Sequence, residues 1–350
     1  MTAVLSRAQP KIAAGYPRGL VEFAVRKGAS RAALLTRAGL TEADLRHQDN
    51  HVALERYLAL FAAAAELTGD PAIALHYGEA VRMQEVSIVG LICEACETTI
   101  DVAREINRYA ALVVDDDRGE PAMLMRGVQR DGGVWIEFPH DLFTANPPIV
   151  EAEFARLVWN GRIMFANTPE FQTIKYPRII HFRHPAPSHR AEYERIFQSP
   201  VVFDSHWNAM QIDPEFLALK QPPVNRYVFG VLSERADALL KSLEDAKTMR
   251  GRVESVLVPV LHKSDVDMDF VARELGLGRQ ALYRALKAEG LTYEAVLDAL
   301  RHRMALNYLA ERKVSVNEAA YLVGFSEPAA FSRAFKRWTG MSPSETRKRL

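Results

Sequence analysis

The chain has 350 residues, 48% hydrophobic and 25% charged, the balance of a soluble globular protein, which excludes disorder as its dominant state. That length exceeds one domain of ordinary size, so two are expected. Lys+Arg and Asp+Glu both total 44, which excludes a uniformly basic coat for nucleic acid. The charges are unevenly placed. Val271–Leu350 holds 14 Lys/Arg against 8 Asp/Glu, and the remainder holds 30 against 36. A basic C-terminal segment on an acidic body suits one region built to meet phosphate and another that is not.

Only Cys93 and Cys96 are present, so no disulfide framework holds the fold. Met1 to Tyr16 lacks an apolar core of signal-peptide length. The most apolar run, Val86 to Cys93, is far short of a membrane span. A cytoplasmic protein with no membrane partner is expected.

The first third reads as helical. Leu20, Phe23, Ala24 and Lys27 open a pattern of threes and fours that Leu34, Leu35 and Ala38 extend to Gly39. Thr41 with Asp44 has the form of a capping box, with Asp in place of Glu or Gln. Val52 to Leu67 is Ala-rich and amphipathic and closes at Gly69-Asp70-Pro71. Further helices are expected at Ala72–Arg82, Val86–Glu97 and Ile100–Leu112.

The middle changes character. Ala122–Gln129 and Val134–Pro139 flank Asp131-Gly132-Gly133, which punctuates a hairpin. Asn146-Pro147-Pro148 interrupts, and Glu151–Phe165 then reads as a helix. Ile179–Arg183, Val201–His206 and Asn208–Ile212 read as strands, with a short helix at Arg190–Phe197. Helices followed by a small sheet predict an α+β N-terminal domain, helical in its first half and with its sheet in the second. Gln221-Pro222-Pro223 marks its end, because paired prolines stiffen a connection and cannot continue a helix. Leu232, Ala236, Leu239, Leu243 and Ala246 then keep helical spacing. That helix either links or dimerises domains, or packs on its own domain; fewer than three heptads are present. The boundaries expected are residues 1–225 for the first domain, 226–248 for the linker helix and 249–350 for an all-α second domain.

The C-terminal hundred residues contain a degenerate repeat. Val271-Ala-Arg-Glu-Leu-Gly-Leu-Gly-Arg-Gln-Ala-Leu-Tyr-Arg-Ala-Leu-Lys287 is the first copy, and Ala319 to Lys336 is the second. Ala272, Leu275 and Gly276 match Ala320, Val323 and Gly324 at an offset of 48. One extra residue in the second turn makes the offset 49, so Leu282, Arg284, Leu286 and Lys287 match Phe331, Arg333, Phe335 and Lys336. Each copy has the physics of a helix-turn-helix. A small Ala admits the second helix, a glycine supplies a positive φ at the turn, and Leu277 or Phe325 plugs the angle. The second helix starts at Gly278 in one copy and at Ser326, a good N-cap, in the other, with Pro328 tolerated in the first turn. Leu282/Leu286 and Phe331/Phe335 face inward and leave Arg284 and Arg333 outward. An apolar back and a basic front suit a helix that enters a major groove.

On these residues the segment from about Arg250 to Leu350 resembles the AraC/XylS transcriptional regulators. Ala320-Tyr-Leu-Val-Gly-Phe-Ser-Glu-Pro-Ala-Ala-Phe-Ser-Arg-Ala-Phe-Lys-Arg-Trp-Thr-Gly-Met-Ser-Pro-Ser-Glu-Thr-Arg347 is similar to that family's C-terminal signature almost throughout. The resemblance implies two helix-turn-helix units joined by a long helix, here Tyr293–Glu311, reading two successive major-groove segments roughly 34 Å apart. Gly278 departs from the usual Ser and weakens that cap by a few tenths of a kcal/mol. Pro328-Ala329-Ala330 stands where polar residues are common, which favours contact with thymine methyls over hydrogen-bond readout. Tyr16 to about Leu219 resembles, more loosely, the arabinose-binding-type domain of one branch of the family. Leu67-Thr-Gly-Asp-Pro-Ala-Ile-Ala-Leu75, Pro185-Ala-Pro187, Tyr193–Phe197 and Pro200-Val-Val-Phe203 carry that likeness. It implies a domain that dimerises and senses a small molecule, whose identity and pocket the sequence does not name.

Other features are weighed against plainer readings. Cys93-Glu-Ala-Cys96 lies in an apolar helical run without two further zinc ligands, so core packing is favoured over a redox switch. His181 and His184 point to opposite faces if Ile179–Arg183 is a strand, which argues against a metal cluster with His189. Asp115-Asp116-Asp117 before Gly119 reads as a solvated turn rather than a divalent-ion site. Trp135, Phe138, Trp159 and Trp207 either line a ligand pocket or are core aromatics. No phosphate loop, nucleophile elbow or His-Glu-x-x-His motif is present.

The expectation is therefore a sequence-specific, double-stranded-DNA-binding transcriptional regulator, not an enzyme, without a cofactor or metal, acting as a homodimer under a small-molecule effector, with RNA polymerase as a further partner. Nothing in the residues separates activation from repression. A regulator answering to a protein partner or to thiol oxidation, and an enzyme domain fused to a DNA-binding domain, are the alternatives. Gln280, Tyr283 and Arg284 are the expected base readers of the first helix, beside Arg279 and Lys287. In the second unit the candidates are Glu327, Ala329, Ser332 and Arg333, with Lys336 and Arg337 nearer phosphate. Gln pairs with adenine and Arg with guanine in the major groove; Arg333 is divided between base and phosphate.

Overall fold

The computed structural model describes residues 10–116, 123–130, 132–221, 226–263 and 266–349. Residues 1–9, Asp117, Gly119, Ala122, Asp131, Pro222 and Pro223, on which several expectations rest, lie outside them. The chain divides into two compact units, Met1–Leu240 and Lys241–Leu350.

The first unit opens with β1 (Lys11–Ala13), α1 (Gly15–Arg26) and α2 (Arg31–Ala38). One continuous apolar pattern was expected here. The break comes at Gly28, with φ of 97°, and at Ser30, whose hydroxyl caps α2. The Thr41–Asp44 capping box forms as read and opens α3 (Glu42–Leu45). Then come β2 (His51–Ala53), α4 (Leu54–Thr68) ending at left-handed Gly69, α5 (Ile73–Ala80), α6 (Met83–Val86), α7 (Ile88–Glu94), α8 (Thr99–Arg108), α9 (Ala110–Val113) and β3 (Val114–Asp115). The strands β2-β1-β3 make a small antiparallel sheet inside the helical half, which the sequence reading missed.

The second half supplies β4 (Arg126–Arg130), β5 (Gly133–Glu137), α10 (Asp141–Thr144), α11 (Pro147–Phe165), β6 (Ile179–His181), α12 (Arg190–Phe197), β7 (Val201–Val202), β8 (Ala209–Ile212) and α13 (Pro214–Ala218). Its sheet has the order β4-β5-β8-β6-β7, with only β6 and β7 parallel. Pro147 and Pro148 start α11 rather than interrupt the chain, since a first-turn proline forfeits no helical hydrogen bond. Arg156 of α11, 1% exposed, lies 4.9 Å over the Tyr77 ring and is ion-paired to Glu153. A buried guanidinium persists only with such partners.

The polar features weighed above find structural places. Asp115 is a buried strand residue and Asp116 sits 3.4 Å from His140, so neither belongs to a solvated turn. His181 is 3.0 Å from Ser205 Oγ, His184 is 3.0 Å from the Pro185 carbonyl, and His189 stacks on Tyr193. Cys93 and Cys96 are buried free thiols. Burial, then the nearby Glu105 carboxylate, pushes the Cys96 thiol to about 12, and burial raises Cys93 too, which opposes thiolate chemistry. Trp135 and Trp207 pack together at 4.9 Å, Phe138 packs edge-on against Phe154, and Trp159 is on the surface.

Glu151 of α11 is buried; Tyr193 donates to its Oε1 at 2.6 Å, and His184 Nε2 lies 3.6 Å from the same oxygen. Burial raises its carboxyl to about 7, against the opposing hydrogen bond from Tyr193. A folded pKa above the unfolded one lends stability that is complete below the unfolded value and is lost as pH rises through the folded value. Glu151→Gln, neutral at every pH, is therefore expected to lie within about 1 kcal/mol of the parent at pH 5 and to exceed it at pH 8 by about 3 kcal/mol. Urea unfolding at the two pH values measures this, and a gap independent of pH would count against it.

Helix α14 (Arg226–Lys247) carries the chain from the first unit into the second. Within the first unit it is held by Arg108–Asp237 at 3.0 Å, Tyr109–Asp237 at 2.9 Å and Arg226–Glu97 at 2.7 Å. Ala236 is its only fully buried residue among those described.

Candidate nucleic-acid interface

The second unit is all helix: α15 (Met249–Leu257), α16 (Met268–Glu274), α17 (Arg279–Ala288), α18 (Tyr293–Glu311), α19 (Val316–Leu322), α20 (Pro328–Thr339) and α21 (Pro343–Arg349). The long helix falls on the expected residues. Val271, Ala272, Leu282 and Leu286 of the first repeat and Ala319, Ala320, Phe331 and Phe335 of the second join Leu300, Ala305 and Leu309 of α18 in one hydrophobic cluster.

Each repeat turns at its glycine, Gly276 with φ of 65° and Gly324 with φ of 83°. Asp267 caps α16 through the Phe270 amide, and Ser315 and Glu318 form a capping box on α19. Gly278 is the N-cap of α17 and has no side chain to cap it, as the sequence implies. On α20 the N-cap is Glu327, without a side-chain hydrogen bond, instead of Ser326. Pro328 accounts for the difference: its fixed φ and missing N–H suit the first helical position, which moves the cap to the residue before it. Phe325 fills the second turn, 5.7 Å from Phe331, with Arg301 over its ring at 4.9 Å and donating to the Gly324 carbonyl at 3.2 Å. Burial lowers the Arg301 pKa.

Gln280, Tyr283, Arg284 and Lys287 fall at helical spacings of three and four on the exposed side of α17, opposite Leu282 and Leu286. The repeat equivalents Ala329, Ser332, Arg333 and Lys336 hold the same places on α20, with Ser332 half-buried and the others exposed. Lys287 lies 5.9 Å over the Tyr283 ring. Gln280, Arg284 and Arg333 have no hydrogen-bond or ion-pair partner among the described residues. Two other candidates are engaged within the unit. Arg279 pairs with Asp269 of α16, and Arg337 donates to Asp298 of α18 at 2.8 Å, with Trp338 Nε1 at 3.4 Å from the same carboxylate. Glu327 stands at the helix entrance, off the basic face.

Arg250 and Arg303 are tethered within the unit. Burial raises the Glu254 pKa, yet hydrogen bonds from Arg303 and Arg250 outweigh it and hold the carboxyl below its ordinary value. Sequence spacing does not reveal the Arg337–Asp298 or Arg303–Glu254 tethers, because the partners are 39 and 49 residues apart. The basic charge thus sorts into a tethered set and an unpaired set. Arg284 and Arg333, on the helix faces that follow the turns, belong to the unpaired set.

The family described as the arabinose-binding domain of AraC transcription regulators matches residues 28–221, more than half of the chain, and a helix-turn-helix domain family matches residues 271–349. The chain belongs to the AraC family of transcription regulators. Among AraC-type relatives, the ornithine utilization regulator of Pseudomonas aeruginosa is 26% identical over 343 residues, 95% of each chain. An uncharacterized HTH-type transcriptional regulator of Mycobacterium tuberculosis is 25% identical over the same length, again 95% of each. The crystal structure of the transcriptional regulator CdpR from Pseudomonas aeruginosa aligns with 90% of this chain and 95% of its own at 21% identity and a TM-score of 0.38. This AraC-family protein is a DNA-binding transcription regulator and not an enzyme. Among its described residues no single helix is long and apolar enough to cross a membrane.

Proposed function

We propose that the regulator works in the cytoplasm as a homodimer, with residues 1–225 sensing a small-molecule effector, 226–248 linking, and 249–350 binding the operator. RNA polymerase is the further partner. The observation that carries the DNA-reading part is the pair of repeat-equivalent basic faces, Gln280/Tyr283/Arg284/Lys287 and Ala329/Ser332/Arg333/Lys336, each backed by the shared hydrophobic cluster. Arg279, Glu327 and Arg337 flank those faces: the first and last reach phosphate by exchanging an internal carboxylate for it, and Glu327 borders the α20 entrance. Lys and Arg contacts to phosphate supply salt-dependent affinity, while a few side chains at base edges supply discrimination.

Dimerisation adds the gain of two linked DNA-binding units, which raises affinity by about 10²–10⁴ without any new contact. The full chain is thus expected to sediment as a dimer and to bind its operator at least about a hundredfold more tightly than the fragment 249–350. Equal affinities would overturn dimeric binding. A thermal-shift screen of the full chain against metabolites tests the effector: a ligand at 100 times its Kd adds about 2.7 kcal/mol to the unit that binds it.

A further inference from the structure

A cavity of about 260 Å³ lies inside the first unit, between α7, α8, α11 and α13 on one side and strands β4 and β5 on the other. Its walls are mainly apolar, with Ile100, Val134, Ile136, Leu157 and Phe165 among them. An apolar cavity of about 150 Å³ takes benzene, so this one accommodates roughly ten non-hydrogen atoms.

Its polar groups differ in what they have left to offer. The Asn160 amide donates to the Arg156 carbonyl at 2.7 Å, the Tyr176 hydroxyl to the Leu157 carbonyl at 3.2 Å, and the Thr99 hydroxyl to the Leu217 carbonyl at 3.2 Å. Gln221 differs. It is 7% exposed, and its Nε2 is buried with no hydrogen-bond partner among the described residues. A buried amide N–H left unmade costs about 1–3 kcal/mol, which an acceptor on a ligand removes. Among the described residues no Lys, Arg or His lines the cavity, and the one charged group there, Glu94, is acidic. A carboxylate or phosphate ligand would therefore enter without a counter-charge, against the cost of desolvating it.

We propose that this cavity is the effector site, and that it takes a compact, uncharged molecule with an apolar body and one carbonyl oxygen that accepts from Gln221 Nε2. The proposal rests on the reading of the first unit as the effector domain, and it adds place, chemistry and a route of response. Gln221 donates its backbone N–H to the Glu97 carbonyl at 3.0 Å, and the Glu97 side chain pairs with Arg226 at the start of α14 at 2.7 Å. A ligand that seats Gln221 thus acts where the chain leaves for the DNA-binding unit.

The test uses the full chain and three probes of similar size: propiophenone, its deoxygenated counterpart propylbenzene, and benzoate. Dissociation constants are measured by calorimetry and checked by thermal shift. Propiophenone is expected to bind at least about tenfold more tightly than either of the others, the worth of one buried hydrogen bond. Gln221→Leu should remove that advantage while leaving propylbenzene unchanged, and Ala103→Phe, which fills the cavity from α8, should abolish both. The proposal is overturned if propiophenone binds no better than propylbenzene, if its advantage survives in Gln221→Leu, if benzoate binds best, or if no probe binds. The metabolite screen separates the two failures. A metabolite whose shift survives Ala103→Phe leaves the effector reading intact and sinks this site. Probe binding as described with no metabolite found anywhere leaves the site intact and sinks the effector reading.

Discussion

Gly324→Ala is expected to disable the second helix-turn-helix, while Gly276→Ala at the equivalent turn is expected to be mild. Both glycines have φ in the left-handed region, 83° and 65°, and a Cβ there costs about 1–2 kcal/mol. Their surroundings differ. A Cβ on Gly276 meets nothing within 4 Å, whereas one on Gly324 falls 2.2 Å from the Leu261 carbonyl oxygen. That oxygen belongs to backbone beside a fully packed cluster and cannot swing aside as a side chain would. Overpacking adds about 1–3 kcal/mol, so the total at Gly324 is roughly 2–5 kcal/mol. Hydrogen exchange across α19 and α20 reads the local loss separately from the rest of the chain. Operator affinity should fall with it. Equal protection in the two variants would mean that the approach to Leu261 carries no weight.

Arg284→Ala and Arg333→Ala probe the two proposed readers. Neither arginine has an internal partner among the described residues, so removing it breaks no ion pair within the fold. Arg337→Ala lacks that clarity because it also frees Asp298. If Arg284 reads a guanine, its loss costs about 1–3 kcal/mol on the cognate site and relaxes preference at one base pair. If Arg333 anchors phosphate, its loss weakens cognate and random DNA alike and lowers the salt slope by about one. Binding of both variants to a randomised operator library at several salt concentrations measures each quantity. Should neither variant change preference or slope, the repeat is not a pair of DNA readers.

The legible parts of the fold are those written over short stretches of chain. The helix-turn-helix repeat, the long helix Tyr293–Glu311 and the Thr41–Asp44 capping box depend on residues within a turn or two of one another, so spacing alone discloses them. The sheet β2-β1-β3 does not. Its strands have three, three and two residues, too few for alternation to register, and Lys11 pairs with Asp115 from a distant part of the chain. Pro147-Pro148 and Ser326 were misread for a related reason. Proline as a stop and proline as a first helical residue look alike until the chain after it is seen to stay helical. The cavity was invisible because four helices and two strands bring its walls together, and because the group that distinguishes it, Gln221, is defined by a hydrogen bond it does not make. On α17 and α20 the outward placement of Arg284 and Arg333 was legible, while the carboxylates that occupy Arg279 and Arg337 were not.

The shared cluster on α18 bears on how operators evolve. Leu300, Ala305 and Leu309 are buried in the same apolar mass as both repeats, so the two basic faces form one block with no joint between them. One base pair of insertion turns B-DNA by roughly 34–36°, and a block of this kind has no hinge with which to follow. If these faces read DNA as proposed, the letters under them are free to drift one at a time, each substitution at a modest cost. The interval between them is not, because every change of interval sacrifices a whole reader at once. If the two faces read DNA as proposed, the spacing between the segments they read is expected to be held fixed by the packing around α18, even where the sequence within them is not.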